Sequence, residues 1–415
     1  MNSSMRIRVG FMPLADAAPL VVAREMGFAR DEGVEIVLSR ETSWATVRDR
    51  LSVGHLDASH ALAPLPLATK LGLGPLHVPM SVPIALGCGG NTVTVADWLF
   101  SAMADKGASA DFDCKRALSA LASIVTARRA RGLAKFVFAV VHQHSAHRYQ
   151  LAYWFASAGI IPGRDVSLVV LPPSLMPEAL QAGNIDGFCA GEPWGSVAVS
   201  AGGASIVTTN SHIWRSSPEK VLSTREDWVE EDPDRADALV RAIWRASVWC
   251  DDAANTAELA ELLARPEYVD AHTKHLLPGL SRKLPAPDGR LLDVPGLFNF
   301  ARAASGFPWL SHALWFLSQM ARWDEIQLAA DTIKKGCRTF RPDIYRRALA
   351  PLGVDMPSAN SKVEGALPTE TPVGSSTGKL SLHADGFFDG ARFDPDRIDS
   401  YVAELKALDS QVRKA

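Results

Sequence analysis

Cysteine is sparse and unpaired in this chain. The five that occur, Cys88, Cys114, Cys189, Cys250 and Cys337, are odd in number and widely separated. No C-x-x-C pair exists, so neither a zinc site nor a redox motif is indicated, and buried thiols in a reducing compartment are the expected state. Long apolar runs are missing as well: no segment offers the roughly 20 residues of a membrane span. The N-terminal stretch Met1-Asn-Ser-Ser-Met-Arg-Ile-Arg-Val9 has no apolar core or small-residue cleavage site, so a cytoplasmic location is expected. Neither sign of charge is in excess. With 43 Lys and Arg against 46 Asp and Glu, the formal net charge of −3 gives no global reason to bind nucleic acid or membrane. The basic run Arg128, Arg129 and Arg131 reads as a solvated helix face. Enzyme signatures are absent too: there is no phosphate-binding G-x-x-x-x-G-K-[ST], no G-x-G-x-x-G after a strand, no G-x-S-x-G and no H-E-x-x-H.

What is present is the composition of a folded α/β protein. The 415 residues are 47% hydrophobic and 21% charged, enough for two or three domains. Short strand and helix signals alternate through the first part: strands at Ile7–Met12, Val34–Leu38, Leu56–His60 and Met80–Leu86, with helices at Ala18–Met26 and Ser43–Leu51 between them. A second α/β unit runs from a strand at Lys135–Val141 to strands at Ile185–Cys189 and Ile206–Thr209, and Asp97–Arg131 between the units is mostly helical. From Asp232 the chain is helical, with helices expected at Arg235–Cys250, Trp309–Trp323, Glu325–Lys335 and Arg341–Leu352. Residues 355–379, rich in Pro, Ser, Thr and Gly, read as an exposed linker. The expected organisation is bilobal: residues 1–90 and 210–415 form a first lobe with a helical C-terminal body, and residues 91–209 form the second. Ligands of open α/β sheets bind outside the carboxyl ends of strands and at domain interfaces.

Hydrogen-bond donors recur at those positions. Trp44 opens a helix after a strand, Asn91 follows the turn Gly87-Cys-Gly-Gly90, and His147 starts a helix after Val141. The segment Gly191-Glu-Pro-Trp194 follows a strand, and Lys220 begins one. Each has a structural alternative: Trp44 as a core aromatic, His147 as a locally satisfied helix-end residue, Lys220 as a solvated cation. His142, His144 and His147 lie close in sequence but bring no carboxylate to complete a metal set, so neither metal nor cofactor is expected.

Several segments resemble the nitrate/bicarbonate-binding family of solute receptors. They are Gly10-Phe-Met-Pro-Leu-Ala-Asp-Ala-Ala-Pro-Leu-Val-Val-Ala23, Ser43-Trp44, Asp186-Gly-Phe-Cys-Ala-Gly-Glu-Pro-Trp-Gly195, Pro218-Glu-Lys-Val-Leu222, Ser311-His-Ala-Leu-Trp-Phe-Leu317 and Phe388-Asp-Gly390. The resemblance implies an α/β fold of the bilobal type II periplasmic-binding-protein kind with helical C-terminal additions. It implies ligand residues Trp44, His147 and Lys220, with Gly191 beside them, and Asn91 where the family carries a Gln. Bicarbonate receptors of the family place an acidic residue where Lys220 falls.

Nitrate is planar, singly charged and accepts hydrogen bonds only, so a matching pocket presents donors. Bicarbonate carries its own O–H and also wants an acceptor. Trp44, Asn91, His147, Gly191 and Lys220 together therefore point to nitrate or nitrite. Asp16 and Glu192 read as structural carboxylates that cap or bridge. Loss of Lys220 is expected to weaken binding without unfolding the chain. The resemblance extends to NasS-type sensors, and the N-terminus favours that branch. It implies a cytoplasmic nitrate/nitrite sensor that controls an RNA-binding antiterminator of the NasT (ANTAR) type, with no direct nucleic-acid or membrane contact. The alternatives are an ABC-transporter receptor for nitrate whose signal peptide has been removed, and an enzyme resembling pyrimidine-precursor synthases, for whose Cys/His iron set no equivalent is found.

Overall fold

Two five-stranded sheets organise the computed structural model, which describes residues 5–414. The strands are β1 (Met5–Phe11), β2 (Val34–Arg40), β3 (Ala58–Leu62), β4 (Met80–Ala85), β5 (Cys88–Gly89), β6 (Asn91–Ala96), β7 (Phe136–Val140), β8 (Val166–Val170), β9 (Gly187–Gly191), β10 (Ala204–Thr209) and β11 (Lys220–Arg225). The first sheet has the order β2-β1-β3-β11-β4 and the second β10-β6-β9-β7-β8. In each, three parallel strands formed through crossover helices meet an antiparallel strand that belongs to a crossing between the lobes. That strand is β11 in the first sheet and β6 in the second. No repeat is visible in the sequence, yet the second sheet repeats the connectivity of the first. The crossover helices, including Ala18–Glu25, Trp44–Ser52 and Ala146–Ala156, bury their apolar positions against the sheets.

The crossings lie side by side. Leu86 N–H donates to the Lys220 carbonyl at 2.8 Å and Gly89 N–H to the Ser217 carbonyl at 3.0 Å. A third segment is laid against them: Phe298–Asn299 pairs antiparallel with β5. Gly89, at φ +82°, leaves no room for a side chain, because a Cβ there would stand 2.2 Å from the Leu297 carbonyl oxygen.

Residues 355–379 are exposed over about half their length, as expected, but they are tied down rather than free to act as a linker. Glu364 is fully buried and accepts from Ser311 Oγ at 2.6 Å, and the Asp355 carboxylate accepts from the backbone N–H groups of Thr377 and Lys379. Polar side chains satisfy the backbone that a Pro- and Gly-rich segment leaves without secondary structure. The helices beyond residue 309 pack against both lobes, not the first alone. Tyr149 Oη donates to Glu325 at 2.5 Å and Tyr153 Oη to Asp389 at 2.8 Å. The final helix, Ile398–Lys414, is held by a buried two-point contact of Arg322 with Asp409 at 2.7 and 2.8 Å. The helix expected at Glu325–Lys335 begins instead at Ala330 and runs to Thr339, because Glu325 is taken up in binding Tyr149 and Arg148.

Candidate functional site

The carboxyl ends of β1 and β2 in one sheet face those of β7 and β9 in the other, and the side chains that follow them converge. Asp16 comes from the turn after β1, Trp44 from the first turn of the helix after β2, and His60 from within β3. The second lobe supplies His147 from the first turn of the helix after β7, Gly191 from the end of β9 and Asn91 from the start of β6. Glu219 and Lys220 enter where the returning crossing becomes β11. The structure thus brings together all five expected residues, Trp44, Asn91, His147, Gly191 and Lys220. All are buried: Asn91 and His147 are 0% exposed, Trp44 and Lys220 1%.

The set is not made of donors alone. Lys220 Nζ lies 2.7 Å from Asp16 Oδ2 and 2.8 Å from Glu219 Oε1. Asn91 Nδ2 donates to Glu219 Oε2 at 2.5 Å, and His147 Nδ1 stands 3.2 Å from Glu219 Oε1. Asp16 therefore bridges to the cation, in keeping with its reading as a bridging carboxylate, and Glu219 is a member that sequence reasoning missed. His60 is a second such member. Its Nδ1 accepts from Met12 N–H at 3.4 Å, so a neutral ring carries its proton on Nε2, which faces Asp16 Oδ1 at 3.1 Å. The Trp44 ring lies 5.2 Å from that of His60 and 5.6 Å from Lys220 Nζ. Gly191 is needed for space: a Cβ there would meet Leu14 at 3.0 Å and Asp16 Oδ2 at 3.3 Å.

Burial and charge set the protonation states. Burial alone would raise the Asp16 carboxyl, but the Lys220 charge and His60 outweigh it and hold it well below the usual range. Glu219 is pushed up to about 7 by burial, with Lys220 opposing and Asp16 adding to the rise. Burial would lower Lys220, yet its two carboxylates raise it, so it remains a cation. Burial and the Lys220 charge hold His147 well below its ordinary value, leaving it neutral. Burial and Glu219 push the Cys189 thiol up, away from nucleophilic character.

Unpartnered polar atoms, donors and acceptors both, remain in this closed space. Trp44 Nε1 and both ring nitrogens of His147 have no hydrogen-bond partner, nor has Asn91 Oδ1. Buried polar atoms are rarely left without one. Two helices, Trp44–Ser52 and Ala146–Ala156, begin at the cluster, and helix N-termini favour negative charge. The lobes meet directly around it: Trp194 Nε1 donates to the Pro13 carbonyl at 3.2 Å and Ala15 N–H to that of Glu192 at 2.9 Å. Glu192, just ahead of the helix Trp194–Ala201, accepts from Thr92 Oγ1 at 3.1 Å and from Ser196 N–H at 3.4 Å, a structural role. Among the described residues, no group of three or more His, Cys, Asp or Glu is arranged to hold a metal ion.

Comparison with known proteins follows the same line. Residues 2–264 match the NMT1-like family. The chain is 30% identical to the nitrate/nitrite binding protein NrtA of Synechococcus elongatus over 410 residues, covering 96% of this chain and 86% of that protein. It is 35% identical to the nitrate import ATP-binding protein NrtC of Synechocystis over 352 residues, and 32% identical over the same length to the bicarbonate transport ATP-binding protein CmpC of Synechococcus elongatus. It spans 84% of its own length in both but only half of each relative. The crystal structure of the periplasmic nitrate-binding protein NrtA from Synechocystis superposes with a TM-score of 0.83 at 26% identity, over 97% of this chain and 99% of that one.

Proposed function

The chain belongs to the NMT1-like family, and from that premise we propose that it binds nitrate or nitrite between its lobes as the solute receptor of an ABC-type importer. The observation that carries the reading is Lys220. It is a buried cation at the meeting of both sheets, 5.6 Å from the ring of Trp44, whose Nε1 has no partner, and in one cluster with His147, whose neutral ring has one N–H to give. A small planar acceptor is what such a set lacks. The relatives named above are binding or import proteins of nitrate-type and bicarbonate-type systems, which supports a receptor over a catalyst.

The sensor reading, with an ANTAR-type antiterminator as partner and a cytoplasmic location, has weaker support, because none of those relatives is a sensor. Bicarbonate is the ligand to be discriminated. Titration calorimetry of the full chain should show saturable heat with nitrate and nitrite and none with an alkanesulfonate such as taurine. Preferential binding of bicarbonate, or equal binding of the sulfonate, overturns the nitrate reading.

A further inference from the structure

We propose that the site takes up its anion together with one proton, and that Glu219 is the residue that receives it. The inference rests on the anion reading and deepens it. Lys220 is the single cation of the cluster and already touches two carboxylates, Asp16 at 2.7 Å and Glu219 at 2.8 Å. With both ionised the cluster carries one net negative charge. A monoanion entering the closed space would double that charge around one ammonium, and unbalanced charge in a buried site is strongly disfavoured. A proton arriving with the anion leaves the charge as it was. It also converts Glu219 from an acceptor into an O–H donor, which an acceptor-only ligand requires, and frees Lys220 from one of its two partners. The step is a plain protonation: a solvent proton joins a Glu219 oxygen, and no other bond changes.

The groups around Glu219 single it out. Lys220 adjoins it in the chain, Asp16 faces it from the turn after β1, and Asn91 Nδ2 binds its Oε2 from β6. His147 approaches from its helix at 3.2 Å, and Cys189 of β9 is a neutral thiol. His60 lies beyond Asp16 and faces that carboxylate instead. Asp16 is thus held ionised between Lys220 and His60, whereas Glu219 shares its lysine and, pushed up to about 7 by burial, titrates close to neutrality. A proton on His147 would place a second charge beside Lys220, and burial together with Lys220 opposes it.

The test is calorimetry of the full chain with sodium nitrate in two buffers of different ionisation heat. Uptake should be close to one proton per anion near pH 8 and should fade below about pH 6. The apparent Kd should weaken about tenfold per pH unit above pH 7, the slope of a single linked proton. In Glu219→Gln the uptake should drop close to zero and the affinity should lose its pH slope. If that variant fails to fold, infrared difference spectra of the wild-type chain should still show a protonated-carboxyl band appearing with nitrate. Nitrate binding without buffer dependence overturns the proposal and leaves the anion reading standing. Uptake that persists in Glu219→Gln assigns the proton to another group, His147 first, and also overturns it. No heat with nitrate or nitrite at any pH removes the anion reading beneath it.

Discussion

At the scale of the residue, the site is decided by how few charges share a buried space. Lys220→Ala would leave Asp16 and Glu219 facing each other without their cation. Removing one partner of a buried ion pair costs about 3–5 kcal/mol, so this variant should lose that much stability in urea as well as its anion affinity. The sequence-based expectation that Lys220 can be removed without unfolding the chain is thereby sharpened to a folded but weakened variant; unchanged urea stability would show that the carboxylates reorganise freely. Glu192 gives a pH-dependent counterpart. Burial raises its carboxyl to about 7 despite hydrogen bonds from Ser196 and Thr92. A carboxyl raised in the folded state contributes stability below its unfolded value near 4.3 and loses it as pH rises toward 7. Glu192→Gln lacks this loss, so melting measured against the wild type should shift in the variant's favour between pH 5 and pH 8. A constant difference across that window contradicts the assignment. Trp44, Asn91, His147, Gly191 and Lys220 were placed together from the sequence because each sits where a strand ends or begins and because the family resemblance singled them out. Glu219 was not. Alternation along a strand sends neighbours to opposite faces, so Lys220 inward implies Glu219 outward. Glu219 lies just before the strand starts, where that rule does not hold, and the Pro218-Glu-Lys220 segment was the only signal for it. Asp16 was visible, but its direction was not, since only the fold brings residue 220 beside it.

At the scale of the element, periodicity and turn residues located most strands and helices within a few residues. The failures share a cause: tertiary contacts claimed the residues that local rules would have spent otherwise. Glu325 reads as a good first-turn helix residue, but Tyr149 and Arg148 bind it and the helix starts at Ala330. Residues 355–379 have a linker's composition, yet Glu364 and Asp355 each serve several donors. Strand β6 was read only as the sequel to a Gly-rich turn, because its pairing partners β9 and β10 lie about a hundred residues away. The Gly-rich turn itself has a steric reason. At Gly89 a methyl group would strike the Leu297 carbonyl, and its φ of +82° disfavours any side chain. Gly89→Ala should therefore displace the segment at Phe298–Asn299 and cost more than about 2 kcal/mol, the combined scale of left-handed strain and a backbone clash. Hydrogen exchange at residues 296–300 should rise in that variant; unaltered protection there would mean the clash is absorbed elsewhere.

At the scale of the whole molecule, two lobes could be argued from alternating elements, but how they complete each other could not. The sequence assigns residues 1–90 and 210–415 to one lobe but does not say how the later part enters the first sheet. In the structure β11 lies between β3 and β4 and pairs with both, so the first sheet is divided until that strand is in place. The second sheet draws all its strands from the uninterrupted stretch 91–209. The connectivity fixes an order of completion during synthesis, when chain emerges from its N-terminus onward. The lobe that begins first is finished second: its centre waits for residues 220–225 to leave the ribosome, by which time every strand of the other sheet has already emerged. Lys220 arrives with that closing strand, so the cation of the site is set in place by the same event that completes the lobe holding it.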